Sequence, residues 1–287
     1  MADAPGLRLP DQLAERVRHI QEGTAEAAEA RDASTVILLR DGPEGVGLLV
    51  YLLRRVSSMK FAPGAYVFPG GSVDPRDADR SVAWSGPSPA DWGAAFGAGE
   101  ALARALVCAA VRETFEESGV LLAGPTPTTI APDTSGDDWE ADRQALLDRS
   151  LSFAELLDRR GLVLRSDLLR PWAHWITPVI EKRRYDTRFF VAALPAGQRT
   201  RDVSTESDRV AWLRLAEAAE AAARGEMAML PPTAVTLKEL AAYDSVEEVL
   251  AAGRDVRPRM PEIRVIDGGV FLILPEELGG SFPVGRP

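Results

Sequence analysis

Apolar runs of strand length alternate along this chain with stretches in which apolar positions recur at a helical period. The strand-like runs lie at 34–40, 46–53, 66–68, 172–180, 187–194 and 209–215, and a hairpin is predicted at 263–274. Helices are predicted at 10–31, 100–118, 138–149, 153–160, 215–224, 233–243 and 246–252. Strands and helices mixed in this order predict an α/β (α+β) fold class.

The clearest helical pattern covers 100–118. Its apolar side chains keep a helical spacing at Leu102, Leu106, Ala109 and Ala110. Gly119 follows where a left-handed C-terminal cap belongs, so the helix is predicted to end there. Its last turn is acidic, although the helix dipole favours cations at that end.

Three acids, Glu113, Glu116 and Glu117, share this last turn with Arg112. Residues three and four apart are neighbours on a helix, so Glu113 faces both other acids and Arg112 reaches Glu116. Each anion costs roughly 0.3–1 kcal/mol at this end of a helix. A solvated acidic face is the ordinary explanation of such a run. The alternative is a cation held between the carboxylates, and oxygen-only ligands favour Mg²⁺ or Mn²⁺ over zinc.

Two glycines, Gly70 and Gly71, follow a short strand upstream of this helix and predict a tight turn that lets backbone approach a ligand. The sequence at 112–120, RETFEESGV, together with FPGG at 68–71, resembles the box of the Nudix hydrolase family, G-x5-E-x7-R-E-U-x-E-E-x-G-U. The box carries a long insertion here, at about 78–103. Its first glutamate falls at Asp77 when counted forward and at Arg104 when counted back.

The resemblance implies a Nudix fold, in which a mixed sheet lies between helices, and implies a reaction. Family members hydrolyse a nucleoside diphosphate linked to another group with a divalent metal. The metal ligands would be the Gly71 carbonyl with Glu113, Glu116 and Glu117. The catalytic residues would be Arg112, which orients a carboxylate, and a general base. That base is Glu116 or Glu117 inside the box, or Glu206 in a later loop.

The run at 51–71 is similar to the signature that precedes the box in coenzyme A pyrophosphatases, and the insertion resembles that of acyl-coenzyme A diphosphatases. The resemblance implies hydrolysis of coenzyme A or acyl-coenzyme A to 3′,5′-ADP and a phosphopantetheine product. Candidate substrate-binding cations are Arg54, Arg55, Lys60 and Arg184, with solvated strand edges as the other explanation. Alternatives are an ADP-ribose or nucleotide-sugar pyrophosphatase and a non-catalytic Nudix-like nucleotide-binding module.

The composition limits the kinds of partner and of metal site that the chain is expected to have. With a formal net charge of −10 and a pI near 4.9, the chain is a poor partner for nucleic acid or an anionic membrane. One cysteine and two histidines exclude an internal disulfide and a histidine-rich metal centre. We expect a small-molecule nucleotide diphosphate as partner, a cytoplasmic location and, as in many relatives of the family, a homodimer. The predicted organisation is a helical appendage at 1–33, a core at 34–224, and C-terminal helices and a hairpin at 225–287.

Overall fold

The computed structural model describes residues 6–58, 62–203 and 207–274. The strands in these ranges are β1 Leu7–Arg8, β2 Ala30–Asp41, β3 Leu48–Arg55, β4 Tyr66–Val67, β5 Gly70–Ser72, β6 Trp84–Ser85, β7 Ala123–Gly124, β8 Val163–Arg165, β9 Leu169–Ile176, β10 Arg184–Ala193, β11 Ser207–Arg214, β12 Pro258–Arg259, β13 Glu262–Ile266 and β14 Gly269–Ile273. The helices are α1 Asp11–Gln21, α2 Pro89–Phe96, α3 Glu100–Ser118, α4 Asp137–Leu147, α5 Phe153–Arg160, α6 Leu215–Ala223, α7 Pro231–Leu240 and α8 Val246–Ala251, with 3-10 turns at Pro75–Ala78 and Ser166–Leu168.

The central sheet has the strand order β11–β3–β2–β10–β9–β12, and β4 and β5 pair beside it with β3 and β2. β2 runs parallel to β10 but antiparallel to β3 and β5, so the sheet is mixed. Successive side chains of a strand point to opposite faces. Val36 and Leu38 accordingly join the core beneath α3, whereas Ile37 and Leu39 join the core formed with α6, α7 and α8. The predicted mixed sheet between helices is confirmed.

The two ends of the described chain meet in a small three-stranded sheet, in which β14 pairs with both β1 and β13. Helix α1 packs beside it, with Val17 in an apolar cluster that also contains Ile180 and Val270. The predicted helix at 10–31 is too long, because α1 ends at Gln21 and Gly23 then adopts a φ of 71°. β2 begins at Ala30, so the expected core boundary between 33 and 34 falls inside a strand.

The inserted segment folds beside α3. Its helix α2 begins after Ser88, and Ser88 and Asp91 form a reciprocal cap with contacts of 3.2 and 2.7 Å. Trp92 is buried and stacks on Phe96, which anchors the segment to the core. α3 starts at Glu100, as predicted, so the last residues of the insertion, 100–103, form the first turn of the helix.

Among the described residues, no single helix is long and apolar enough to cross a bilayer. Helices α2 and α3 pass that test only as a pair, with a bend of 95° between them.

Candidate active site

Helix α3 presents its acidic last turn at a fixed position. Ser34 of β2 donates its hydroxyl hydrogen bond to the Leu106 carbonyl at 2.6 Å and so ties the middle of the helix to the sheet. The buried Arg143 of α4 donates to the Glu116 carbonyl at 2.8 Å, which satisfies a backbone acceptor in the last turn. Gly119 ends the helix with a φ of 74°, as predicted. These contacts therefore fix the position of the helix end that carries the acids.

Arg112 is the centre of the site's ion-pair network. Its Nη1 donates to Glu113 at 2.8 Å and to Glu116 at 3.1 Å. Its Nε and Nη2 donate to Asp77 at 3.0 and 2.9 Å, and Nη2 also donates to the Ser72 carbonyl at 3.0 Å. Every guanidinium nitrogen is thus engaged by protein groups. Arg112 therefore contacts carboxylates in this arrangement, and its part in catalysis stays a prediction.

Asp77 resolves which residue stands in for the first glutamate of the box. It is buried, with 3% of its surface exposed, and its carboxylate accepts two hydrogen bonds from Arg112 as well as one from the Asp74 amide at 2.8 Å. Arg104, the position reached by counting back, instead places its guanidinium 5.1 Å from the centre of the Trp84 ring. Counting forward from Gly71 gives the residue that pairs with Arg112.

The glycine pair does not form the predicted turn. Gly70–Ser72 is strand β5, which pairs with β2 and brings its backbone against α3. The Gly70 amide donates to the Glu117 carboxylate at 2.9 Å. A Cβ at Gly71 would lie 2.5 Å from Oε1 of Glu113, so only glycine leaves room for that carboxylate. These glycines therefore let the backbone of β5 approach a carboxylate closely, and they do not form a turn of the chain.

The site holds more buried negative than positive charge. One guanidinium, Arg112, faces the carboxylates of Asp77, Glu113 and Glu116. Burial raises the pKa of Glu113 to about 7 against the lowering effect of Arg112, and it raises the pKa of Glu116 for the same reason. Carboxylates in this position gain from an added cation.

The side chains are not gathered as predicted, however. Within the described residues, no group of three acidic, histidine or cysteine side chains already forms a metal site. Arg112 stands between Glu113 and Glu116, and Glu117 turns to the Gly70 amide. The donors still fit a hard divalent cation by their chemistry, since they are oxygen ligands with uncompensated negative charge beside the glycine backbone of β5.

A family model described as the NUDT19 Nudix domain matches residues 98–240, a range that begins just before α3. The chain belongs to the Nudix hydrolase family. Two similar proteins, the acyl-coenzyme A diphosphatases NUDT19 of Gallus gallus and Homo sapiens, are 29% and 28% identical to it. These alignments cover 76% and 82% of this chain, and 70% and 73% of those proteins.

A solved structure agrees with this assignment. The crystal structure of a NUDIX hydrolase from Alicyclobacillus acidocaldarius superposes with a TM-score of 0.63 at 29% identity, and covers 79% of this chain and 98% of that one. Nudix hydrolases generally need a divalent metal, which agrees with the donor set on α3. The acidic last turn of α3 lies inside the matched range, and Gly71 and Asp77 lie before it.

Three of the four predicted substrate-binding cations lie in the part of the chain that the structure describes. Arg54 forms an exposed two-bond ion pair with Asp208, and Arg55 lies at the end of β3. Arg184 donates to the carbonyls of Thr177 and Ala28, so much of its donor capacity is used on backbone. Lys60 and Glu206 lie outside the described residues. The substrate-binding and general-base assignments stay predictions.

A loop that the sequence analysis did not single out is bound to the end of the Nudix helix. The Arg201 amide donates to the Ser118 carbonyl at 2.8 Å, and the buried Tyr51 hydroxyl donates to the Arg201 carbonyl at 3.1 Å. Burial, together with the charges of Asp202 and Glu117, raises the pKa of Tyr51. No local sequence pattern signals this arrangement, because it joins β3 to a loop 150 residues later.

Proposed function

We propose that this chain is a Mg²⁺- or Mn²⁺-dependent Nudix diphosphatase that hydrolyses coenzyme A or acyl-coenzyme A to 3′,5′-ADP and phosphopantetheine or its acyl form. The observation that carries the proposal is the Nudix box around Arg112, with buried carboxylates in excess. The similar proteins named acyl-coenzyme A diphosphatase, aligned over most of this chain, support the substrate.

The reaction places water against a phosphorus atom of a diphosphate whose oxygens already carry negative charge. A bound divalent ion would neutralise those oxygens and lower the pKa of the attacking water. Glu113, Glu116 and Glu117, with the Gly71 carbonyl, would hold the ion. Arg112 lowers the pKa of Glu113 and Glu116 against the larger raising effect of burial, and its hydrogen bonds fix the direction of both carboxylates. Asp77 in turn holds Arg112, so it acts on the site through another residue.

The remaining role is removal of a proton from water. Glu116 and Glu117 are the candidates within the helix, and Glu206 is the candidate outside it. Glu117 accepts a hydrogen bond from the Gly70 amide, and Glu116 accepts one from Arg112. Attack by the activated water breaks the bond between the bridging oxygen and the attacked phosphorus. The leaving group departs as 3′,5′-ADP when the phosphopantetheine phosphorus is attacked.

The test is a metal-dependent hydrolysis panel with product identification by mass spectrometry. It should include coenzyme A, acyl-coenzyme A thioesters, ADP-ribose and nucleotide sugars, each with Mg²⁺, Mn²⁺ or a chelator. We expect the coenzyme A species to give the highest kcat/KM and the chelator to abolish turnover. Faster turnover of ADP-ribose than of coenzyme A would contradict the proposed substrate and indicate an ADP-ribose pyrophosphatase. No turnover of any diphosphate would favour a non-catalytic nucleotide-binding module. The cytoplasmic location and the homodimer stay predictions.

A further inference from the structure

An apolar groove of about 360 Å³ lies where α1, the loop after β9 and the segment between β12 and β13 meet. Six of its lining side chains are aliphatic or thioether groups: Val17, Ile20, Val179, Ile180, Met260 and Ile263. Flexible aliphatic walls suit a hydrocarbon chain, whereas a flat nucleobase is usually held by aromatic rings. Met260 is 40% exposed at this groove, which leaves part of the lining open to solvent.

We propose that this groove binds the acyl chain of an acyl-coenzyme A substrate, a proposal that rests on the diphosphatase function given above. Among the described residues, the groups identified at the acidic site on α3 are carboxylates, a guanidinium and glycine backbone, which suit a diphosphate rather than a hydrocarbon chain. An acyl tail left in water would contribute nothing to affinity, while each methylene buried in the groove contributes about a fourfold gain.

The groove is within reach of the diphosphate site. Gly71 pairs with Ser34 on one side of β2, and Arg184 pairs with Ala30 on the other. Four residues of strand separate the two positions, roughly 13 Å along β2, with ~10 Å across the two strand spacings. Arg184 reaches the groove wall, because its Nη2 lies 3.8 Å from the sulfur of Met260. The extended pantetheine arm can cross this distance from diphosphate to thioester.

Two cations and two acids lie around the groove: Arg184 and Arg16, with Glu262 in the lining and Glu181 close to Arg16. Arg184 stands at the wall, and Arg16 donates to the Ile180 carbonyl at 2.7 Å. These two hydrogen-bonded cations also hold the groove walls in place, which lowers the ordering cost of binding. The acid in the lining, Glu262, is already paired with Arg264 at 2.9 Å.

The test compares kcat/KM for dodecanoyl-coenzyme A and for unacylated coenzyme A. The variant Ile20→Glu places a charge in the groove and should lower the ratio of the two values at least tenfold. The matched control is Val265→Glu, at a nearby side chain that is 59% exposed and lies outside the lining; it should keep the wild-type ratio. Ile20→Phe keeps the groove apolar but smaller, and should shift the preferred acyl length to shorter chains.

A second readout is independent of hydrolysis. Dodecanoate titrated calorimetrically into the full chain should bind to the wild type and to Val265→Glu but not to Ile20→Glu. If the protein binds dodecanoate in this pattern yet cleaves no coenzyme A species, the groove proposal is supported and the proposed diphosphatase function is overturned. If coenzyme A is cleaved but Ile20→Glu leaves the acyl ratio unchanged, the groove proposal is overturned. A change of oligomeric state in Ile20→Glu with an unchanged ratio would make the groove a contact between subunits and would also overturn it.

Discussion

Asp77 and Arg112 are separated by 35 residues in the chain but form a buried two-bond ion pair, with nitrogen–oxygen distances of 3.0 and 2.9 Å. The Asp77 carboxylate also accepts a hydrogen bond from the Asp74 amide. This bond caps the 3-10 turn in which Asp77 lies. The pair therefore joins the start of the insertion to the helix of acids. It explains how the Nudix box tolerates a long interruption, since both halves meet through this contact.

The first prediction concerns that pair. Asp77→Asn removes one charge of a buried network and should lower the free energy of unfolding by ~3 kcal/mol, because breaking a buried pair leaves the partner poorly compensated. Urea denaturation measures the change. The control is Asp79→Asn, two residues away and exposed, which should stay within about 0.5 kcal/mol of wild type. Equal stability of the two variants would contradict a structural role for Asp77.

The second prediction concerns space at Gly71. Its φ is not in the left-handed region, so alanine there meets no backbone strain, but the added Cβ would lie 2.5 Å from the Glu113 carboxylate. We expect Gly71→Ala to displace Glu113 and to reduce kcat/KM by at least about 100-fold, the usual effect of a misplaced catalytic group. Gly99→Ala is the control, since a Cβ there meets nothing within 4 Å. An active Gly71→Ala variant would show that Glu113 need not approach β5.

The third prediction concerns Glu117. Glu117→Gln retains an acceptor for the Gly70 amide, so we expect the melting temperature to change little. Hydrolysis of coenzyme A should nevertheless fall by ~100-fold or more, because a neutral amide neither binds a divalent cation strongly nor accepts a proton. Steady-state kinetics at saturating Mg²⁺ measures the loss. Glu100→Gln, at the exposed start of the same helix, should keep wild-type activity.

The fourth prediction concerns the cation. Addition of Mg²⁺ or Mn²⁺ to 100 times its dissociation constant should stabilise the folded chain by about 2.7 kcal/mol, because the ion binds the folded state and not the unfolded chain. Thermal unfolding with and without the ion tests this. The stabilisation should be lost in Glu113→Gln and kept in Glu140→Gln, whose carboxylate instead pairs with Arg143 and Arg201. Equal stabilisation of both variants would show that the ion does not bind at the Nudix helix.

The sequence by itself determined the catalytic helix and its charges. Helical period and a capping glycine are local properties, so α3 begins at Glu100 and ends at Ser118 as predicted, with Arg112 and Glu116 in contact. Composition and the box motif were also enough to indicate the family.

Only the tertiary structure decided which residues meet across the chain. Strand pairing turned Gly70–Ser72 into β5 instead of a turn, and the fold of the insertion selected Asp77 over Arg104 as the partner of Arg112. Arg184, which was predicted to bind substrate, likewise donates hydrogen bonds to backbone carbonyls. Such choices depend on which distant groups share a buried volume and must satisfy one another's charges and hydrogen bonds, and no local spacing encodes that.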